Sequence, residues 1–210
     1  MKKQDFKVLK TKDLYPFPDN PFHVAEDETL SELAESIKEF GIVTPIITRP
    51  KEDGNGYEVI AGQRRVRASE LAGINTIPAF VLHLDRDRAI ITLVDSNLQR
   101  ENILPSERAF AYKMKSEAMK RQGFRTDLTS SQVVTKLRTD DKVAQGFGVG
   151  RMTVQRFIRL TELIPPILQM VDEGRIALTP AVELSFLKKD EQENLFATME
   201  SEDRKSTRLN

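Results

Sequence analysis

Strand patterns are confined to roughly the first 85 residues of this chain, and that asymmetry limits the folds open to it. Short apolar, β-branched runs alternate there with helical periodicity, whereas from about residue 86 onward only helical periodicity remains. The sequence therefore predicts an α+β protein. A small α/β module is expected over residues 1–100, and an all-helical module over residues 101–200.

Turn and cap residues mark out the first module. Thr29 is the predicted cap of an amphipathic helix, with Glu32 completing a capping box, and Gly41 is placed to end that helix. Residues 53–56 predict a hairpin turn. The predicted strands are residues 6–9, 45–49, 57–60 and 77–82, and a second helix is predicted at residues 64–72, closed by Gly73.

Helical periodicity after the last strand covers residues 88–96, 106–122 and 131–137, and Ser106 is the cap predicted for the second of these segments. A polar break is predicted at residues 123–131. The polar, non-periodic tail, residues 201–210, is predicted to be disordered.

The composition excludes several classes of protein. The chain has 210 residues and no cysteine, which rules out disulfides, thiolate metal sites and thiol nucleophiles and fits a reducing compartment. No apolar run approaches the roughly 20 residues of a membrane span, and the N-terminal residues lack the apolar core of a signal peptide. We therefore expect a cytoplasmic protein without a membrane partner.

The formal net charge of zero is an average over segments of opposite sign. Residues 101–160 contain 12 basic and 6 acidic side chains, whereas residues 1–100 carry a net charge of −2 and residues 161–210 one of −4. Because salt screens distant charges within about 8 Å, a basic segment can bind phosphates in a neutral protein.

A glycine followed by packed arginines stands where the strand at 57–60 gives way to a helix. Such a turn presents backbone N–H donors at a helix N-terminus, and arginine forks there suit a phosphate. Gly62, Arg64 and Arg65 therefore predict a phosphate-binding turn. The same residues are also typical of a solvated surface helix, and this motif alone does not separate the two.

Residues 141–160 have the spacing of a helix-turn-helix. That motif needs a small residue where the helices cross, a glycine with positive φ in the turn, and an apolar stripe on the second helix. The residues that meet these needs are, in order, Ala144, Gly148 and the stripe Val149, Val154 and Ile158.

The other face of the second helix carries side chains that read base edges or hold phosphates. Residues 142–160 include four basic residues and no acidic one, whereas a solvated helix usually mixes signs. A helical hairpin in a bundle is the alternative. The predicted DNA-binding residues are Arg151, Met152, Thr153, Gln155, Arg156 and Arg159.

With these motifs in hand, the chain resembles the ParB family of DNA-partition proteins over nearly all of residues 5–200. It is similar in particular to the partition-like proteins of bacterial mobile elements. Three segments carry the resemblance in the family's order, followed by the helix-turn-helix: box 1 at residues 41–49, box 2 at residues 62–65 and box 3 at residues 97–102.

The resemblance implies a protein that binds a centromere-like DNA palindrome through the helix-turn-helix and binds CTP with Mg²⁺ in the N-terminal module. It implies a role in segregation or maintenance of a chromosome, plasmid or integrated mobile element, with a homodimeric clamp, a ParA-type ATPase partner and association with the nucleoid. Asn97 is the implied metal residue. The implied nucleotide-binding residues are Gly41, Thr44, Pro45, Gly62, Gln63, Arg64, Arg65, Asn97 and Arg100.

The chain departs from the family pattern at three places. Gln63 and Ser96 stand where the family usually has glutamate, and residues 20–25 lack an arginine that is common there. A neutral side chain does not supply a carboxylate's charge to Mg²⁺, so the resemblance leaves CTP hydrolysis open.

Two other classes of function also stay open. One is a helix-turn-helix transcriptional regulator whose N-terminal module no longer binds or hydrolyses nucleotide. The other is an enzyme, because a related fold occurs in phosphoryl-transfer and sulfiredoxin-like proteins. The lack of cysteine excludes thiol chemistry in that second class.

Overall fold

The computed structural model describes residues 4–97, 100, 102–127 and 139–208, and the chain divides into two compact units, residues 1–100 and 101–210. The predicted helix at 131–137 lies outside the described residues. The α+β class is confirmed, with a mixed sheet in the first unit and a helical second unit.

The first unit is built on a five-stranded sheet with the strand order β1-β5-β3-β4-β2. β3 and β4 form the predicted antiparallel hairpin, β1 runs antiparallel to β5, and the pairs β3–β5 and β2–β4 are parallel. The strands are β1 (Gln4–Lys10), β2 (Leu14–Pro16), β3 (Ile46–Pro50), β4 (Tyr57–Ala61) and β5 (Thr76–Leu82).

Three α-helices accompany the sheet in the described part of this unit, residues 4–97 and 100. α1 and α2 pack on each other through a buried apolar cluster, because the periodic leucine, alanine and isoleucine positions of α1 meet Ala68 of α2. α3 contacts β4. The helices are α1 (Glu28–Phe40), α2 (Gln63–Leu71) and α3 (Arg86–Asn97).

The start of α1 differs from the predicted capping box. Asp27, not Thr29, is the N-cap residue, and its side chain accepts a hydrogen bond from the N–H of Leu30 at 2.9 Å. The Thr29 hydroxyl instead donates to Asp27 at 2.8 Å. Gly41 ends the helix as predicted, with φ of 71°.

The second unit consists of helices over its described residues, 102–127 and 139–208. Its core stacks Tyr112 on Phe147 with ring centroids 4.9 Å apart, and Phe157 meets Tyr112 edge-on at 5.8 Å. The helices are α4 (Pro105–Asp127), α5 (Thr139–Gly146), α6 (Arg151–Arg159), α7 (Pro165–Asp172), α8 (Leu178–Leu184) and α9 (Lys189–Arg208).

Three local predictions in this unit differ from the structure. Ser106 lies inside the first turn of α4, where its N–H donates to Asp172 at 2.8 Å, so it is not the cap. α4 continues through residues 123–127 of the predicted polar break. α9 continues to Arg208, through most of the predicted disordered tail.

No helix within the described part of the chain is both long enough and apolar enough to span a membrane.

Candidate nucleotide and DNA sites

The turn from β4 into α2 requires glycine for two reasons. Gly62 has a left-handed φ of 100°, and a Cβ built on it would lie 2.7 Å from the Ile46 Cγ2 atom. The tight turn therefore brings the first residues of α2 against the start of β3. Box 2 is in this way placed beside box 1.

Arg65 joins box 2 to box 1 directly. Its Nη1 donates to the carbonyl oxygens of Thr44 and of Pro45, the latter at 2.7 Å. The guanidinium is half-buried, and this burial lowers the pKa of Arg65. Arg65 thus fixes the backbone that precedes β3, while the Thr44 side chain stays exposed.

Arg64, the neighbouring arginine, faces a carboxylate instead of backbone. Its Nη2 lies 3.1 Å from Asp27 Oδ1 and donates to the Thr29 hydroxyl at 2.6 Å, and its Nη1 lies 3.5 Å from Asp27 Oδ2. Hydrogen bonds from Arg64, Thr29 and the Leu30 N–H lower the pKa of Asp27 to about 2. Asp27 is therefore charged throughout the physiological range.

Gln63 connects box 2 to the loop that follows β2. Its Oε1 accepts a hydrogen bond from Asn20 Nδ2 at 2.7 Å. Asn20 Nδ2 also donates to the Phe22 carbonyl at 3.1 Å. The Arg100 guanidinium carbon lies 5.9 Å from the centre of the Phe22 ring. This loop therefore lies between Gln63 of box 2 and Arg100 of box 3.

Asn97, the implied metal residue, is buried at the end of α3. Its amide donates to the Leu93 carbonyl at 2.8 Å and to the Ser96 hydroxyl at 3.4 Å. Mg²⁺ in proteins is usually held by one or two carboxylates together with substrate phosphates. Among the residues that the structure describes, no cluster of three His, Cys, Asp or Glu side chains could hold a metal ion. The donor set around Asn97 does not fit a metal held by protein carboxylates.

Sequence reasoning missed three residues of this region, namely Asn20, Asp27 and Thr29 in its observed role. An aspartate directly before an amphipathic helix is itself an N-cap signal, so Asp27 could have been found as the cap. Its pairing with Arg64, 37 positions away, has no local signal.

A cavity of about 660 Å³ lies beside this region, between residues 14–24 and one side of α2. Apolar and aromatic side chains make up most of its wall. Gln63 is the predicted nucleotide residue that reaches it, and Arg64 and Arg65 are not part of its lining.

The predicted helix-turn-helix is formed by α5 and α6. Ala144 is buried at the crossing, and its carbonyl accepts the N–H groups of Phe147 and Val149, each at 3.1 Å. Gly148 has the positive φ, 63°, that the turn was expected to need. The buried stripe of α6 is Val154 with Phe157, whereas the predicted members Val149 and Ile158 are only half-buried.

The exposed face of α6 carries Met152, which is 63% exposed, and Gln155. Gln155 and the half-buried Arg151 contact acidic residues of α5: Gln155 Nε2 donates to Asp140 at 3.2 Å, and Arg151 lies 3.9 Å from Asp141. Both contacts are weak because they are long or exposed to solvent, so a DNA ligand can displace the two aspartates.

Two other arginines of α6 contact α8 and the residues after it. Arg156 donates to the Thr179 hydroxyl at 2.5 Å. Arg159 donates to the hydroxyl and carbonyl oxygens of Ser185, at 3.1 and 2.9 Å, and stacks over the Phe186 ring at 4.1 Å. Arg159 therefore has a packing role in this structure, in addition to its predicted contact with DNA.

Two lysines of α4 belong to the basic segment 101–160. Lys115 is buried, with its ammonium 4.2 Å from the Phe147 ring centre. Lys113 donates to Thr161 at 3.2 Å and pairs with Glu162 at 3.6 Å. Both therefore contribute to packing within the unit.

Comparison with known proteins matches each unit to a domain family. The family model of the ParB N-terminal domain matches residues 1–98, and that of the ParB helix-turn-helix domain matches residues 129–208. The C-terminally truncated chromosome-partitioning protein ParB of Caulobacter crescentus, in a crystal structure with the centromeric parS site, has 25% sequence identity and a TM-score of 0.55. This match covers 91% of our chain and 99% of that one.

Two relatives found by sequence comparison support the domain matches. The probable chromosome 1-partitioning protein ParB of Deinococcus radiodurans is 38% identical over 178 residues, covering 84% of this chain and 54% of that protein. The nucleoid occlusion protein of Halalkalibacterium halodurans is 34% identical over 190 residues, covering 90% of this chain and 60% of that protein. The chain thus spans little more than half the length of these relatives. Because two ParB domain models match it in the expected order, the chain belongs to the ParB family.

Proposed function

We propose that this chain is a sequence-specific, double-stranded-DNA-binding partition protein whose action responds to CTP. The observation that carries the proposal is the exposed face of α6, the second helix of a helix-turn-helix, with polar and basic side chains outside and Val154 and Phe157 inside. A helix of that kind can enter the major groove of DNA. The parS complex of the Caulobacter relative supports the same choice of ligand.

The side chains of α6 divide by what they can contact. Arg151, Thr153 and Gln155 have donors that suit base edges, and Met152 offers an apolar contact to a thymine methyl. Arg156 and Arg159 are held by Thr179 and Ser185, which orients their guanidinium groups. DNA binding requires Arg151 and Gln155 to leave Asp141 and Asp140.

The proposed nucleotide site is the turn at Gly62 with box 1 beside it. The N-terminus of α2 favours an anion, because its first N–H groups lack partners within the helix. Arg64 is the side chain placed to bind a phosphate, while Arg65 holds the Thr44 and Pro45 backbone in place. Gly41, Gln63, Asn97 and Arg100 are proposed to line the rest of the site.

CTP is the proposed nucleotide, by resemblance to the family. Any Mg²⁺ that accompanies it would be bound by its phosphates, because the described protein residues around Asn97 offer no carboxylate set for it.

The proposed assembly follows from the DNA ligand. A palindromic site presents two equivalent half-sites, which matches a two-fold symmetric homodimer. A ParA-type ATPase and a nucleoid location complete the proposal, for a chromosome, plasmid or integrated mobile element.

The DNA part is tested with Arg151→Ala and Arg156→Ala. Each lost base contact weakens specific binding by roughly 1–3 kcal/mol, about 5- to 150-fold in Kd, measured by fluorescence anisotropy on a parS duplex and on a scrambled duplex. Arg88→Ala, an exposed arginine of the first unit, is the control for loss of one charge. If both α6 variants bind parS as tightly as the wild type, the recognition-helix assignment fails.

The nucleotide part is tested by isothermal titration of the whole chain with CTP, with and without parS DNA. Binding of CTP and a change in DNA affinity on adding it are the expected results. If no heat is seen in either condition, the alternative is supported: a helix-turn-helix transcriptional regulator without nucleotide control.

A further inference from the structure

The guanidinium of Arg64 already holds an anion from its own chain. Asp27 approaches it with both carboxylate oxygens, at 3.1 and 3.5 Å, and Thr29 accepts a third hydrogen bond at 2.6 Å. A planar guanidinium binds carboxylate and phosphate through the same pairs of N–H donors. These three contacts therefore use donors that a nucleotide phosphate would need.

Asp27 does not depend on Arg64 for its position. Its Oδ1 also accepts the N–H of Leu30 at 2.9 Å and the Thr29 hydroxyl at 2.8 Å, which caps α1. The preceding residue, Glu26, is held separately by Arg67 through Nε at 2.9 Å. If Arg64 turns away, α1 therefore keeps its N-cap, and the contact between Glu26 and Arg67 of α2 also remains.

The pair is exposed enough to be exchanged. The side chain of Arg64 is 31% exposed and that of Asp27 is 45% exposed. An exposed pair of this kind is stabilised only weakly against water and competing ions. A ligand with several negative charges can therefore displace Asp27, whereas a weakly charged anion competes poorly.

We propose that Asp27 is an internal competitor for the phosphate site at Arg64, so that nucleotide binds only by displacing it. This inference rests on the proposed function, since it concerns regulation of the same site. Its consequence is a lower affinity for every phosphate ligand that needs the donors of Arg64. Inorganic phosphate and nucleoside monophosphates are expected to displace Asp27 less well than a triphosphate does.

The test uses Asp27→Asn in the full chain. Asparagine is as good an N-cap as aspartate, so α1 keeps its start while the competing charge is lost. CTP affinity, measured by isothermal titration, is expected to rise about two- to fivefold, the range that follows from breaking an exposed ion pair. The affinity for CMP is expected to rise by a similar factor, because displacing Asp27 costs the same free energy whichever phosphate ligand takes its place.

Glu26→Gln is the matched control. It removes one negative charge at the adjacent position and loosens Arg67, but leaves the contacts of Arg64 intact. Its CTP affinity is expected to equal that of the wild type. Circular dichroism checks that both variants keep the helical content of the wild type.

The outcomes separate this inference from the proposed function. If wild type binds CTP and Asp27→Asn binds it no better, the competition is refuted while nucleotide binding stands. An equal gain in Glu26→Gln also refutes it, since the effect is then one of overall charge. If neither the wild type nor Asp27→Asn binds CTP, the proposed nucleotide function falls and the inference falls with it.

Discussion

Two adjacent arginines at the start of α2 have different partners. Arg65 is bound to two backbone carbonyls, which are fixed parts of the fold, whereas Arg64 is bound to side chains that can move away. A single motif thus contains one structural arginine and one exchangeable arginine. Substitutions at the two positions should therefore differ in kind, with Arg65 affecting the backbone of box 1 and Arg64 affecting ligand affinity.

Gly62→Ala tests how strictly the turn depends on glycine. The new Cβ would lie 2.7 Å from Ile46 and 2.9 Å from an Arg65 nitrogen, at a φ of 100°. A left-handed non-glycine residue costs roughly 1–2 kcal/mol, and overpacking adds about 1–3 kcal/mol. Urea unfolding is expected to show this loss of stability at an unchanged m-value.

Gly54→Ala is the matched control for that substitution. Gly54 also has positive φ, 76°, but nothing lies within 4 Å of its built Cβ. Its loss should therefore be limited to the conformational part, roughly 1–2 kcal/mol. Equal losses for the two variants would mean that the close contact with Ile46 is unimportant.

The contacts of individual residues were only partly predictable. Gly62 and Gly148 were each predicted to lie in a turn between two elements, and a positive φ was predicted for Gly148. Both glycines have positive φ. The pairs Arg64–Asp27 and Gln63–Asn20 join residues that are far apart in the sequence. Single-sequence patterns carry no information on which distant polar groups meet.

At the scale of elements, helix α6 has one buried face and one exposed face. Val154 and Phe157 are buried, and the Arg108 guanidinium lies 5.3 Å from the centre of the Phe157 ring. Met152 is exposed on the opposite side. The helix therefore contributes to the core through one face and leaves the other to a ligand.

Phe157→Ala and Met152→Ala separate these two faces. Truncating the buried ring is expected to lower the free energy of unfolding by about 3–5 kcal/mol. Truncating the exposed methionine should change it by less than about 0.5 kcal/mol, while weakening parS binding. Thermal unfolding and fluorescence anisotropy measure the two effects, and a stability loss at Met152 as large as that at Phe157 would contradict the assigned orientation.

Element types were predictable and element ends were not. The hydrophobic periodicity of α1 and the apolar, β-branched runs of β3 and β4 are local signals, so these elements lie where they were predicted, within a residue or two. α4 and α9 continue into polar segments, 123–127 and 202–208, that lack such periodicity. The buried stripe of α6 is a second example. Ile158 was predicted to be buried, but the adjacent Phe157 occupies that face, and sequence alone does not decide between two neighbouring apolar residues.

For the whole molecule, the placement of charge matters more than its sum. The chain is formally neutral, yet residues 101–160, which contain α6, carry an excess of six positive charges. The proposed association with a DNA backbone would depend on that local excess, because distant acidic residues are screened.

Salt dependence tests this difference between local and total charge. If four basic side chains neutralise phosphates, raising the salt from 50 to 200 mM should weaken parS binding by about 150-fold. The slope of log Kd against log salt, measured by anisotropy, gives the number of phosphate contacts. A flat slope would indicate that the basic segment does not meet the DNA backbone.

The lack of cysteine and the exposure of Met152 together allow a defined labelling strategy. Since the chain has no thiol of its own, Met152→Cys creates a single reactive position on the outer face of α6. That thiol is expected to react more slowly with a small alkylating reagent when DNA covers α6. Its rate of alkylation with and without DNA therefore reports contact at that helix, with no label on the nucleic acid.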